Sequence, residues 1–171
     1  MAALRLIPFS FAALLALPAM AADPALLNLV MPGAQNVAGI SVSQARTTPF
    51  GQFILDRMKT KDADFQRLME QTGFDPRTDV TEIVAASDGA TPRDGQGLVV
   101  ARGQFDVSRI LAAAQKSGGS SSTYKGVQML VKPTGKSGKS GVIAFPEATL
   151  AIAGDLAAVQ GAIDRRAAGG S

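Results

Sequence analysis

The sequence predicts an α+β domain with a mostly antiparallel sheet and helices on one face. Short apolar runs bounded by Gly, Pro and Asp recur along the chain, as they do in strands. Between several of these runs, apolar residues recur at helical spacing. The clearest example is 97–116, where an apolar run leads through Gly103 and Gln104 into a helix that the Asp106 carboxylate can cap.

The order of the elements narrows this prediction to a ferredoxin-like core of the split β-α-β type. The six main elements run strand, helix, strand, strand, helix, strand, and an added hairpin and a C-terminal helix follow. The predicted strands are 37–44, 80–87, 97–102, 124–132, 142–145 and 149–153; helices begin at Thr48 and Pro49, at Asp62, at Asp106 and at Gly154-Asp155.

Local signals mark where the helices begin and end. Thr48 is a candidate cap, and Pro49 suits the first helical position of a segment whose apolar stripe contains Phe50, Phe53, Ile54 and Met58. Gly73 followed by Phe74 is typical of a helix C-terminus, where glycine takes the left-handed conformation. The Ser/Gly run 117–122 predicts a flexible connection.

The first residues have the pattern of a secretory signal peptide. Arg5 precedes the apolar run 6–17, Pro18 ends it, and Ala19-Met20-Ala21 is a small-x-small cleavage site. The run is shorter than the ~20 apolar residues that span a membrane, although an uncleaved anchor is the alternative. We therefore expect an exported protein, periplasmic or extracellular, with a signal peptide over 1–21, a lead-in over 22–36, one domain over 37–166 and a disordered tail over 167–171.

The composition limits the possible chemistry. The chain has no Cys, which removes thiol chemistry and disulfides, and no His, the commonest general base and metal ligand. Its 17 basic and 14 acidic residues give a net charge of only +3, with one Tyr and no Trp. A nucleic-acid surface needs clustered basic residues, so we expect no nucleic-acid partner. We also expect no cofactor.

Two motifs resemble catalytic or phosphate-binding patterns but lack parts of them. The run 135–140 resembles a phosphate loop, yet neither Gly-Lys pair has the required Gly five residues earlier and no helix is predicted to follow. We therefore interpret this segment, which includes the basic residues Lys132, Lys136 and Lys139, as a solvated loop. Ser122 and Lys125 have the Ser-x-x-Lys spacing of penicillin-binding enzymes, but they enter a predicted strand and not a helix.

The remaining charged residues also have simple structural interpretations. Asp88-Gly89 and Asp94-Gly95 could share a hard cation, although Asp-Gly is an ordinary turn pair and the spacing does not match a calcium loop. Arg165-Arg166 fits a solvated helix end. The sequence therefore assigns no catalytic, cofactor-binding or metal-binding residues.

Several short motifs resemble those of exported bacterial proteins that carry a repeated α+β domain of unknown function. The resemblance implies a similar fold but brings no activity and no functional residues. Relatives are often longer and can carry a second copy of the unit, so the chain would be a short member or a fragment. The motifs are Gly73-Phe74-Asp75-Pro76, Asp79-Val80, Arg102-Gly103-Gln104-Phe105-Asp106, Tyr124-Lys125-Gly126, Gly154 and Ala162-Ile163-Asp164.

These observations favour a non-catalytic domain of the cell envelope that binds another protein or an envelope component. One alternative is an exported hydrolase that uses Asp/Glu or Ser/Lys, which export permits but no motif supports. Another is a unit that pairs with a second copy of itself. An apolar, open sheet face opposite the helices would indicate a partner there.

Overall fold

A single seven-stranded sheet runs through the protein in the computed structural model, which describes residues 23–49, 51–53, 63–89, 95–131 and 141–169. The α+β class and the antiparallel sheet are confirmed, because every neighbouring pair of strands is antiparallel. The strands are β1 (Asn36–Ser41), β2 (Val80–Ser87), β3 (Gly97–Gly103), β4 (Ser120–Tyr124), β5 (Val127–Val131), β6 (Gly141–Glu147) and β7 (Leu150–Asp155). The helices are α1 (Pro24–Leu27), α2 (Val42–Ala45), α3 (Ala63–Thr72), α4 (Pro76–Asp79), α5 (Val107–Lys116) and α6 (Leu156–Gly169).

The strand order, β1-β2-β3-β7-β6-β5-β4, does not confirm a ferredoxin-like core. In a split β-α-β unit, the strands that flank the first helix are parallel and another strand lies between them. Here β1 and β2 are antiparallel neighbours. The hairpin β6–β7 is likewise not confirmed as an addition to such a core. It lies at the centre of the sheet, because Ile152 of β7 pairs with Val100 of β3.

Helices cover both faces of the sheet, so the prediction of helices on one face is wrong. The successive residues Ala151 and Ile152 of β7 belong to two separate buried clusters. Ile152 packs in the cluster that contains Val159 of α6, and Ala151 in the cluster that contains Ile110 of α5. The physical reason is that β7 is apolar at successive positions, which is the pattern of a strand buried on both faces.

The segment 23–31, which we call the N-terminal strap, belongs to the core on the α6 face. It contains α1, and its Leu26, Leu29 and Met31 are buried in the cluster around α6. Arg165 of α6 holds the strap, because its Nη2 donates to the Leu29 carbonyl oxygen at 2.8 Å. The lead-in therefore covers part of the sheet.

Several predicted helix signals are confirmed. Gly73 directly follows α3 with a φ of 70°, in the left-handed region. Asp106 caps α5, since its Oδ1 accepts from the Arg109 backbone N–H at 3.1 Å. Thr48 Oγ1 accepts from the Gly51 N–H at 3.1 Å, although Phe50 and most of the predicted stripe that follows lie outside the described residues.

Two segments are more ordered than their composition suggested. The Ser/Gly run gives way to β4, which pairs with β5 through the tight turn Lys125-Gly126. These two turn residues have φ values of 48° and 81°, as the tightest hairpin turns require. Similarly, α6 continues to Gly169 through the predicted tail, because Ala167 and Ala168 favour a helix.

Candidate functional site

Several of the motifs that resemble those of exported α+β-repeat proteins lie near the start of α5, where they determine the path of the backbone. A Cβ on Gly103 would lie 2.3 Å from the Asp79 carbonyl oxygen, so no larger residue fits there without a shift. The same carbonyl accepts from the Gln104 N–H at 2.8 Å. Next to this contact, the rings of Phe74 and Phe105 pack with their centroids 5.4 Å apart. These residues join the α4 region to the end of β3.

The acidic residues of this region close turns. Asp75 caps α4 by accepting from the Arg77 N–H at 2.9 Å, and the Arg77 side chain binds the same carboxylate in a fork at 2.8 and 2.6 Å. The Arg77 guanidinium holds the pKa of Asp75 below its ordinary value. Asp79 Oδ2 in turn accepts from the Asp75 N–H at 2.8 Å. Both carboxylates therefore have structural partners.

The cluster that most resembles a reactive site is formed by Tyr124, Lys125 and Asp164. Lys125 Nζ lies 2.7 Å from Asp164 Oδ1, and the Tyr124 hydroxyl donates to Asp164 Oδ2 at 3.2 Å. The carboxylate raises the pKa of Lys125, and the ammonium lowers the pKa of Asp164. Lys125 and Asp164 are 56% and 43% exposed, so the cluster lies at the surface.

This cluster argues against the Ser-x-x-Lys interpretation of Ser122 and Lys125. Ser122 lies within β4, opposite Met129, and not at the start of a helix. Lys125 lies in the turn and its raised pKa keeps it protonated, whereas activation of a serine requires a neutral amine. The cluster instead connects the β4–β5 turn to α6.

Of the two aspartates that could share a hard cation, only Asp88 is among the described residues. Asp88 closes the β2–β3 connection, since its Oδ2 accepts from the Gln96 N–H at 2.8 Å, and Asp94 lies outside the described residues. Within the ranges given above, no group of three His, Cys, Asp or Glu residues could hold a metal ion. The loop 132–140, with Lys132, Lys136 and Lys139, also lies outside them.

The arginine pair on α6 does not form a merely solvated helix end. Arg165 binds the strap through the Leu29 carbonyl, as described above. Arg166 Nη2 lies 3.4 Å from Glu147 Oε1 at the end of β6. Both arginines therefore connect α6 to other segments.

A second charged cluster joins the start of the strap to the sheet, and sequence reasoning missed it. Arg102 Nη2 lies 2.7 Å from Asp23 Oδ2, and the Asp23 N–H donates to Glu82 Oε1 at 2.7 Å. Glu82 and Arg102 are directly opposite each other on β2 and β3. Asp23 is 59 residues from Glu82 and 79 from Arg102, so no local spacing could have indicated the cluster.

The edge strand β1 is exposed along nearly its whole length. Residues Asn36 to Ile40 are all exposed, with Val37 and Ile40 at 50% and 52% on opposite faces of the sheet. The strand contains no charged residue and no proline. The opposite edge strand, β4, is also exposed but consists mainly of Ser and Thr.

Neither the helices nor a comparison with known proteins indicates a function for the chain. Among the helices of the described residues, none has both the length and the apolar character that crossing a bilayer requires. The chain matches no protein-family model, and no similar curated protein or solved structure was found.

Proposed function

We propose that the chain is an exported, non-catalytic domain that binds another protein of the cell envelope. The partner would add an extended segment to the open edge of β1. The observation that carries this proposal is the exposure of an uncharged edge strand along nearly its whole length. The resemblance to exported α+β-repeat proteins is consistent with the same compartment.

An edge strand presents backbone N–H and C=O groups that another strand can pair with. Natural proteins usually protect such edges with charged residues, proline or a bulge. β1 carries none of these, and its register with β2 is regular from Asn36 to Ser41. Val37 and Ile40 would contact the alternating side chains of an added strand, which gives specificity to the backbone pairing.

Three basic side chains are each paired with a carboxylate, and this supports a non-catalytic role. Lys125 is paired with Asp164, Arg77 with Asp75, and Arg102 with Asp23. A catalytic group needs a pKa matched to proton transfer near the working pH. The pKa of Lys125 is raised and the pKa of Asp164 is lowered, because each group stabilises the charge of the other. Both pKa values therefore move away from neutral pH.

Photo-cross-linking in the native envelope tests the proposal. A photoreactive residue at Val37 is expected to form an adduct with an envelope protein, to be identified by mass spectrometry. Ile40→Lys should abolish the adduct, because a charge on the edge opposes strand addition. The matched control is Val99→Lys, since Val99 is a 41% exposed residue on the same face but on the central strand β3.

The possible outcomes distinguish partner binding at the β1 edge from binding at other surfaces. Loss of the adduct with Ile40→Lys but not with Val99→Lys supports the proposal, provided that both variants unfold at the same temperature as the parent. Equal loss with both variants would assign binding to the sheet face. An adduct only with a second copy of the chain, or no adduct, would also contradict the proposal.

A further inference from the structure

We propose that the N-terminal strap and β1 open and close as one unit, so that the strap determines whether the docking edge is formed. Release of the strap from α6 would fray β1 from its Asn36 end and remove the edge that a partner pairs with. The inference rests on the proposed function only in treating β1 as the docking edge, because the coupling itself belongs to the free protein.

The strand β1 has little side-chain burial of its own. It lies at the edge of the sheet, and its residues from Asn36 to Ile40 are all exposed. Its backbone pairs with β2, from Asn36 opposite Ser87 to Ser41 opposite Glu82. Segments with few buried apolar contacts open at a low cost in free energy. The order of β1 therefore depends on the segments that hold its two ends.

The strap holds the Asn36 end. Arg165 Nη2 donates to the Leu29 carbonyl oxygen at 2.8 Å, which fixes the strap to α6. The buried side chains of the strap pack in the core cluster around the same helix, and they are Leu26, Leu29 and Met31. The strap thus has the apolar burial that β1 lacks.

The connection from the strap to β1 is short and hydrogen-bonded. Four residues, 32–35, separate Met31 from Asn36. The Ala34 N–H donates to the Met31 carbonyl oxygen at 3.0 Å, which closes a turn, and the Gln35 N–H donates to the Ser87 carbonyl oxygen at 2.9 Å. Detachment of the strap would therefore reach Gln35 and the start of β1 first.

A different anchor holds the Ser41 end of β1. Val42 is buried in the cluster on the α5 face. Arg46 Nη2 donates to the carbonyl oxygens of Thr78 and Val80 at 2.9 and 2.6 Å. Because these contacts do not involve the strap, its release should loosen β1 from the opposite end.

Amide hydrogen exchange of the purified protein tests the coupling with Arg165→Met and its matched control, Arg166→Met. The first substitution removes the donor to the strap, and the second makes the same change at the next position, where the arginine pairs with Glu147. In Arg165→Met, exchange of the Gln35 amide and of the β1 amides that pair with β2 should become about ten-fold faster, as for a lost hydrogen bond from a charged donor.

The control separates local opening from unfolding of the whole domain. Arg166→Met should leave β1 exchange unchanged even if the amides of β3 and β7 exchange faster, because the contact that it removes is still present when only the strap opens. Equal acceleration of β1 in both variants would overturn the inference. Faster exchange of the strap amides in Arg165→Met with unchanged β1 amides would also overturn it, because the strap would then open by itself.

Asp23→Asn is a milder second variant. Asparagine can still accept from the Ala25 N–H, as Asp23 Oδ1 does at 2.8 Å, but the pair with Arg102 loses its charge. Exchange of the same β1 amides should become about two-fold faster, as expected for the loss of an exposed ion pair. If Arg165→Met does not fold, unchanged β1 exchange in Asp23→Asn overturns the inference.

The adduct formed through a photoreactive residue at Val37 connects the coupling to docking. Coupling between two sites is reciprocal, so a partner held at β1 should slow the exchange of the strap amides of Leu29 and Val30. Unchanged strap exchange in the adduct would contradict control of the edge by the strap. Failure to form an adduct would contradict the proposed function, whereas the exchange data on the free variants still decide whether the strap and β1 open together.

Discussion

Lys125 Nζ lies 2.7 Å from Asp164 Oδ1 and thereby joins the β4–β5 turn to the C-terminal helix α6. A lysine beside a carboxylate at the bottom of a cavity would have indicated catalysis. Here the two side chains are 56% and 43% exposed, and each stabilises the charge of the other. The pair is best understood as a contact that holds the hairpin of the edge strand β4 to the helix.

The Lys125–Asp164 pair predicts an acid-dependent contribution to stability. In the folded chain the pKa of Asp164 lies below its ordinary value of 3.8, so the unfolded chain binds the proton first as the pH falls. The contribution is present above the ordinary pKa and is lost as the pH falls through the folded pKa. Asp164→Asn should therefore reduce the free energy of unfolding at neutral pH, and this difference should shrink in acid.

Urea unfolding of the parent and of Asp164→Asn, at neutral pH and at about pH 3, measures this difference. Tyr124→Phe is the control, because it removes one hydrogen bond to Asp164 but keeps the ion pair. A difference between the parent and Asp164→Asn that does not change with pH would contradict the assignment.

Gly103→Ala should destabilise the fold, because the added methyl group would lie 2.3 Å from the Asp79 carbonyl oxygen. The expected loss in the free energy of unfolding is about 1–3 kcal/mol, as for overpacked sites. Gly97→Ala on the same strand is the matched control, since its added Cβ would meet no heavy atom within 4 Å beyond Gly97 and its two chain neighbours. Chemical denaturation measures both. Equal effects of the two substitutions would show that the close approach at Gly103 does not matter.

The cap of α4 can be separated from its ion pair by two substitutions at Asp75. Asp75→Ala removes both the cap and the partner of Arg77, and should cost about 1 kcal/mol or more in the free energy of unfolding. Asp75→Asn keeps a good cap and loses only the ion pair, so its cost should be smaller. Thermal and denaturant unfolding report both values, and an Asn variant as unstable as the Ala variant would refute the capping role.

Burial on the α5 face predicts a large effect of Phe105→Ala. Phe105 is 7% exposed and its ring lies 5.4 Å from that of Phe74 and 5.9 Å from that of Phe145. Truncation of such an aromatic residue should cost about 3–5 kcal/mol in the free energy of unfolding, and Phe105→Leu should cost less. A loss below about 1 kcal/mol for Phe105→Ala would mean that this face has no true core.

The elements that could be predicted are those with local signals. The strand over residues 80–87 and the helix that Asp106 caps were predicted closely, because their apolar patterns and caps lie within a few residues. β4 was missed, because Ser and Gly composition suggests flexibility. Its order comes from backbone pairing with β5, for example Ser121 with Leu130.

The order of the strands and the charged clusters depend on distant pairings. Val100 of β3 meets Ile152 of β7 at the centre of the sheet, and no local pattern indicates which of several apolar strands becomes a neighbour. Likewise, Asp23 and Arg102 carry no shared motif. The apolar residues at successive positions of β7 were visible in the sequence, and they could have indicated that both faces of this strand are buried.

Amide hydrogen exchange of the purified protein tests the central claim, an open edge at β1, most directly. We predict that the β1 amides that point away from β2 exchange rapidly, whereas the amides of the central strands β3 and β7 exchange slowly. Slow exchange at every amide from Val37 to Ile40 in the free protein would contradict the account, because it would mean that the edge is already covered.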